Sequence, residues 1–208
     1  METVLSVCLG VGLSAACGFR VFVPLLVMSI AAVSGHLTLA PGFEWIGTYP
    51  ALAAFVVATC LEVAGYFIPW VDNLLDTIAT PAAIVAGVMV MASAVSGMTP
   101  FLKWALAVIA GGGVAGVVHV ATGVTRGAST VTTGGLGNPL VATMEFGGAM
   151  VLSLLAIALP VIAGLVVLGV LCGAAKKILG KARGYSAHAR MSQGPRGEAL
   201  GGEPKGRV

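Results

Sequence analysis

The chain has 208 residues, of which 58% are hydrophobic and only 9% charged, with a mean hydropathy of +1.02. An ordinary soluble domain is about a quarter charged, and a chain this apolar has too little polar surface to stay dispersed in water. Composition therefore excludes a free-standing soluble domain and predicts an all-α membrane protein, and the formal net charge of +3 does not change that, because it comes from one end.

A spanning helix needs roughly twenty mostly apolar residues. The first apolar stretch, Val4 to Ser34, is longer than that and is interrupted by Gly18-Phe19-Arg20 and Pro24. It reads either as one tilted, broken span or as two half-helices. Residues 35–50, with Pro41, Gly42, Trp45 and Tyr49, form a polar and aromatic connection suited to a membrane interface. The second span is expected over Ala51–Trp70, with Glu62 inside it. Asp72 to Thr77 is a short polar segment, and Pro81 suits the first turn of a third span over Ala79–Val95. After a turn at Ser96–Lys103 the fourth span runs from Phe101 to about Thr122. The stretch from Thr125 to Pro139 is rich in hydroxyls and glycine and is expected to be non-helical, as an exposed loop or a re-entrant segment. Leu140–Ala175 reads as one long, kinked helix containing Pro160. The count is about five transmembrane helices, with six as the alternative.

Charge marks the last boundary. Residues 1–175 hold three Lys/Arg against six Asp/Glu, a net of −3, and residues 176–208 hold eight against two, a net of +6. The expected organisation is a transmembrane domain over 1–175, with repeat halves 1–98 and 99–175, followed by a basic, disordered cytoplasmic tail over 176–208. Positive-inside bias accounts for the basic tail, so no nucleic-acid partner is expected. Placing Lys103 and the tail on the cytoplasmic side of a bacterial inner membrane puts the N-terminus outside; a re-entrant first hairpin reverses that. No basic residue precedes Arg20, so the N-terminal segment lacks the n-region of a signal peptide and reads as retained. Cys8, Cys17, Cys60 and Cys172 lie in apolar stretches without Cys-x-x-Cys spacing and read as buried free thiols. Gly112/Gly116 and Gly169/Gly173 have the spacing of close helix contacts, either within the chain or along a homodimer seam.

Two pieces of the chain look alike. Each has a Gly followed by an Arg (Gly18 and Arg20; Gly123 and Arg126), then a Glu with Gly three residues later (Glu62 and Gly65; Glu145 and Gly148). Three crossings apart, equivalent positions would face opposite sides, as in an inverted-topology repeat with its site at the midplane. The spacing from Arg to Glu differs between the two pieces, which weakens the match.

Ionisable side chains within a membrane are costly and usually face a partner or an interior path. The candidates for substrate or ion binding are Arg20, Glu62, Asp72, Asp76, His119, Arg126, Ser129, Thr130, Asn138 and Glu145. Glu62 lies deep in its span and reads as a proton- or cation-binding carboxylate, as an ion-pair partner of Arg20, or both. Glu145, near the start of its span, is able to reach the interface, which leaves a functional role and a plain interfacial one both open. Asp72 and Asp76, four residues apart, read as a helix cap or as a paired-carboxylate cation site. His119, Thr122 and Arg126 share a helical face if the helix extends that far, and they offer a proton relay or a structural hydrogen bond. Arg126, the hydroxyls of Ser129 and Thr130, and a helix starting at Asn138-Pro139 describe an anion cradle. No zinc-enzyme spacing occurs, and no cofactor is expected.

The Gly18-Phe19-Arg20 start, Glu62 with Asp72, Asp76 and Thr80-Pro81, and the Thr125-Arg126-Gly127 to Asn138-Pro139 segment together resemble a family of small bacterial membrane proteins known as domain of unknown function 4126. The resemblance covers about residues 5–175. It implies the helical architecture and carries no catalytic residues. The function expected from the residues is a small transporter or channel with a midplane site, moving a small anion coupled to protons or cations, with the lipid bilayer as surroundings and a homodimer as one assembly. Alternatives are a cation or metal pathway lined by carboxylates, a lipid-acting intramembrane enzyme, and a non-catalytic scaffold; no nucleophile–base motif favours the enzyme.

Overall fold

A computed structural model describes residues 1–65 and 69–192, with side chains placed over 1–65 and 78–176. Among the described residues every regular element is helical. Three are long and apolar enough to cross a membrane: Glu2–Phe19, Pro100–Thr133 and Asn138–Ala158; four shorter apolar helices accompany them. Contacts divide the chain into two compact units, 1–167 and 168–208.

The first apolar stretch is two helices, α1 (Glu2–Phe19) and α2 (Phe22–Val33), broken at Arg20, whose backbone is extended (φ −146, ψ 129). Pro24 fits the first turn of α2, where a missing N–H breaks no helical bond. The two helices fold back on each other. Gly10 of α1 packs against Met91 and Ala94, and Met28 of α2 accepts a hydrogen bond from Ser93 Oγ at 3.4 Å. Both arms therefore meet the same end of α4 (Pro69–Ala94). At the opposite end Gly18 lies against Ala115 and Val118, and Arg20 reaches Ala142. Thus α1–α2 is a helical hairpin with Arg20 at its tip. The half of α1 nearer the tip, Leu9–Gly18, is buried, with Leu13, Ser14, Ala16 and Cys17 fully so.

Loop 35–48, with a short 3₁₀ turn at Glu44–Gly47, is fastened to the end of α4 by Ala40 N–H donating to Ser93 O at 2.7 Å. Phe43 stacks near Trp104 (ring centroids 6.3 Å apart), and the Lys103 ammonium lies 4.9 Å from the Phe43 centroid. This aromatic end therefore also carries the open end of the hairpin. A first stretch crossing once would have set the chain's start opposite Lys103; the hairpin brings them to one end.

α3 (Tyr49–Gly65) leads away from the aromatic end. The polar segment expected between the second and third spans is helical: α4 begins at Pro69 and holds Pro81 in its interior. One missing N–H does not end a helix whose packed face is secured on both sides, here by Ala79, Ala83, Ala86 and Val90 at three- and four-residue intervals. Then α5 (Pro100–Leu106), a π-helical turn (Ala107–Gly112) and α6 (Gly113–Thr133) form one continuous rod. A Cβ on Gly111 would meet Gly87 O at 2.5 Å, so α4 and the π turn pack backbone to backbone.

The hydroxyl-rich segment does not form an irregular loop. Helix α6 continues through it, and the hydroxyls of Thr125, Thr130, Thr132 and Thr133 donate to carbonyls four residues back at 2.7–3.0 Å. Left-handed backbone is confined to Gly134 (φ 64) and Gly135 (φ 89), which turn the chain into α7 (Asn138–Ala158). The last apolar stretch is likewise two helices. Leu159, outside the helical region before a proline (φ −138, ψ 66), separates α7 from α8 (Pro160–Ser192). Within the second unit α8 continues across the 175/176 boundary to Ser192. Cys17 is buried and Cys8 partly so, but Cys60 and Cys172 are exposed, which corrects the expectation of four buried thiols.

Candidate functional site

Four charged groups of the first unit, Arg20, Glu62, Arg126 and Glu145, gather at the hairpin tip. Glu62, one turn before the end of α3, is buried, and its carboxylate accepts Val21 N–H at 2.8 Å (Oε1) and Phe22 N–H at 3.1 Å (Oε2). These are the first amides of α2, which have no partner within the helix. Glu62 thus caps a helix from another helix, and its negative charge sits at the positive end of the α2 dipole.

Glu145 does a different job. It lies two turns into α7 and is only 5% exposed, turned into the bundle. Arg126 Nε donates to both its oxygens, at 3.0 and 3.1 Å, and Arg126 Nη2 also bonds Oε2. Arg20 Nη2 stands 3.7 Å from Glu145 Oε2 and donates to Ala142 O at 2.8 Å. One carboxylate therefore lies between two buried guanidinium groups. Both arginines are also within electrostatic reach of Glu62. A planar guanidinium meeting a carboxylate edge-on is among the strongest hydrogen-bonded pairings side chains make.

His119, Thr122 and Arg126 are all buried on one face of α6, because the helix does run that far. His119 Nδ1 is 3.2 Å from Gly18 O, and Thr122 Oγ1 donates to His119 O at 2.8 Å. The tip is therefore held three times over: by Glu62 on the α2 amides, by Glu145 and Ala142 O on Arg20, and by His119 on the Gly18 carbonyl. Beside it a cavity of about 130 Å³ is lined by Thr80, His119, Val120, Thr122, Gly123 and Arg126.

The remaining sequence candidates are not gathered here. Thr130 and Asn138 pair with each other at 3.1 Å, exposed or partly so, and Ser129 lies beside Gly137 in the same turn region. Glu145 is seven residues along α7 from Asn138, about 10 Å at the helical rise. The expected cradle of Arg126 with the α7 N-terminus is therefore corrected: Arg126 turns into the bundle toward Glu145. Asp72 and Asp76 fall in α4, but their side chains lie outside the described residues. Among the described residues no three His, Cys, Asp or Glu side chains gather to hold a metal. Sequence reasoning missed the Gly18 and Ala142 carbonyls, since backbone groups carry no residue signal, and it missed Gly123 as a cavity wall.

An all-helical chain with several apolar helices, three of them of membrane-crossing length, and a buried cluster of ionisable groups is the class these observations define. Residues 7–178 match the family model described as Domain of unknown function (DUF4126), and the chain belongs to that family. No curated protein and no solved structure matches the chain.

Proposed function

We propose that the protein is a small transporter or channel of the bacterial inner membrane, and that the tip of the α1–α2 hairpin is its ion site. The observation that carries this is the meeting of Arg20, Glu62, Arg126 and Glu145 in one buried cluster at a broken-helix junction. Paired helix ends and ionisable groups deep in an apolar bundle mark transport sites more often than structural ones.

In the present arrangement Glu145 occupies the place an anion would take between Arg126 and Arg20. Removing its charge, by protonation or by swinging away, takes one negative charge out of the buried cluster, and breaking a buried ion pair costs several kcal/mol. A small anion entering with the proton leaves the charge of the cluster as it was, so proton and anion occupancy are coupled. Glu62 keeps the α2 amides filled and the tip in place throughout. With Lys103 on the cytoplasmic side, the open end of the hairpin is cytoplasmic too, and the tip points toward the far side.

The test is charge movement and flux in proteoliposomes of the purified protein against a panel of inorganic anions, cations and small organic acids. Substrate-dependent flux that disappears in Arg126→Ala and in Glu145→Gln is expected. Flux unaffected by both substitutions, with folded protein confirmed, would move the site elsewhere.

A further inference from the structure

A second cavity lies away from the tip, between α2 and α7, with a volume of about 520 Å³. That is inside the range of roughly 300–1,000 Å³ common to ligand pockets. It is a groove that follows both helices. Leu26, Ile30 and the C-cap Ser34 line it from α2 at four-residue steps, and Met150, Leu154 and Ala158 do so from α7. Such steps form a stripe along a helix axis. The buried Val27 and Ala31 form its floor, and the half-exposed Ile30 and Leu154 its rims. Among the described lining residues the polar side chains are Ser34 and His36. They stand together at one end, with His36 Nδ1 3.0 Å from Ser34 Oγ.

That polar end belongs to the open end of the hairpin, where the exposed Trp45, Tyr49 and Trp104 mark the level of lipid head groups. From there the groove runs inward over eight residues of each helix, 34 back to 26 and 158 back to 150, about 12 Å at the helical rise. One leaflet supplies half of a hydrocarbon core roughly 30 Å thick, so the groove is about one leaflet deep. A transmembrane helix of a second copy needs a seat through both leaflets. Helix α2, with 12 residues, is only about 18 Å long and cannot provide one. A groove that is polar at head-group level and apolar below it fits an amphiphile entering from one side. We propose that it holds the acyl tail of one phospholipid from the leaflet at the aromatic end, with the glycerol and phosphate groups beside Ser34 and His36. Lipid tails are as apolar as leucine, so apolar character alone does not single out this lipid from its neighbours. Packing of the tail against two helices and hydrogen bonding at the mouth do. The inference rests on the membrane placement proposed above, and on neither the tip cluster nor transport.

The full chain, reconstituted in vesicles of phosphatidylethanolamine and phosphatidylglycerol and extracted into mild detergent, can be weighed intact by native mass spectrometry. A monomer carrying one phospholipid is expected. Leu154→Trp and Ala158→Phe, which fill the groove from exposed positions, should each lower the bound fraction tenfold or more and leave the unfolding temperature unchanged. Val151→Trp, on the same helix but outside the groove and 66% exposed, should keep the lipid. In the vesicles themselves, chain-spin-labelled phosphatidylethanolamine should show a motionally restricted component that shrinks with the two filling substitutions only. A lipid-free monomer without that component, a bound fraction indifferent to both filling substitutions, or equal loss with Val151→Trp would each overturn the proposal. So would an adduct with the mass of a free fatty acid, or a lipid-free dimer that Leu154→Trp separates, which would give the groove to a second copy. The filling substitutions leave the tip cluster untouched. Absence of flux in proteoliposomes with the lipid still bound therefore fails the transport reading alone.

Discussion

Glu62 and Glu145 look alike in sequence, each following an Arg and preceding a Gly by three residues, yet the fold gives them different work. Glu62 accepts two backbone amides and fixes a break in the chain. Glu145 accepts two side-chain cations and fixes charge. The same residue at similar places in two stretches can therefore serve geometry in one and electrostatics in the other. That difference also bears on the inverted repeat. The break beside Glu62 lies at Arg20, whereas Arg126 sits inside an unbroken α6 and the break of the second half comes at Leu159.

The comparison is sharpest where a partner is removed. Glu145→Ala takes the carboxylate away from two buried guanidinium groups and is expected to be the most damaging single change, at about 3–5 kcal/mol, read as thermal unfolding in detergent. Combining it with Arg126→Leu should recover part of that loss, because a buried charge is removed along with its partner. A double variant as unstable as the sum of the singles would mean that the pair does not act as a unit. Glu62→Gln should cost less, about 1.5–3 kcal/mol for hydrogen bonds to a charged acceptor. Its signature differs as well: hydrogen exchange should quicken at the Val21 and Phe22 amides, and Glu145→Gln should leave those amides protected. Equal exchange in the two variants would erase the distinction drawn between the glutamates.

Sequence reasoning found the four charged residues because each stands out in apolar surroundings, and it found the break at Gly18-Phe19-Arg20. It could not say whether the chain turns back there, since one broken span and a hairpin have the same composition; the decision rests on which ends of α4 and α7 the two arms meet. Hydroxyls and glycines from Thr125 to Gly137 read as loop because threonine, serine and glycine are poor helix formers. In the fold those threonines bond back to the preceding turn instead, and only Gly134 and Gly135 leave helical backbone. Pro81 was misplaced for the opposite reason: a polar stretch followed by proline resembles a helix start, but packing on both sides carries α4 through it.

A smaller effect tests how the tip is seated. Gly18 gives α1 its closest approach to α6, and a Cβ there would lie 2.5 Å from Val118 Cβ and 2.6 Å from Ala115 O. Gly18→Ala must push the helices apart and with them the carbonyl that His119 holds, at about 1–3 kcal/mol. Unchanged stability would show that the tip tolerates displacement and that the three clamps on it are not cooperative.

The smallest effects, and the ones that separate packing from assembly, come from the two pairs of spaced glycines. Gly112 and Gly116 face α4: a Cβ on Gly112 would sit 2.9 Å from Val88 Cγ2, and one on Gly116 3.3 Å from Ile84 Cγ1. Gly112→Ala should therefore destabilise, by about 1 kcal/mol, since the crowded atoms are ends of side chains that yield a little. At Gly169 and Gly173 a Cβ would meet nothing within 4 Å among the described residues. Alanine there should stabilise the helix by roughly 0.5–1 kcal/mol, so the two pairs differ in sign. Measured mass in detergent then decides what the second pair is for. A monomer whose Gly169→Ala form is more stable and still monomeric has no seam there. A dimer that dissociates on Gly169→Ala while each chain stays folded assigns this face of α8 to a second copy.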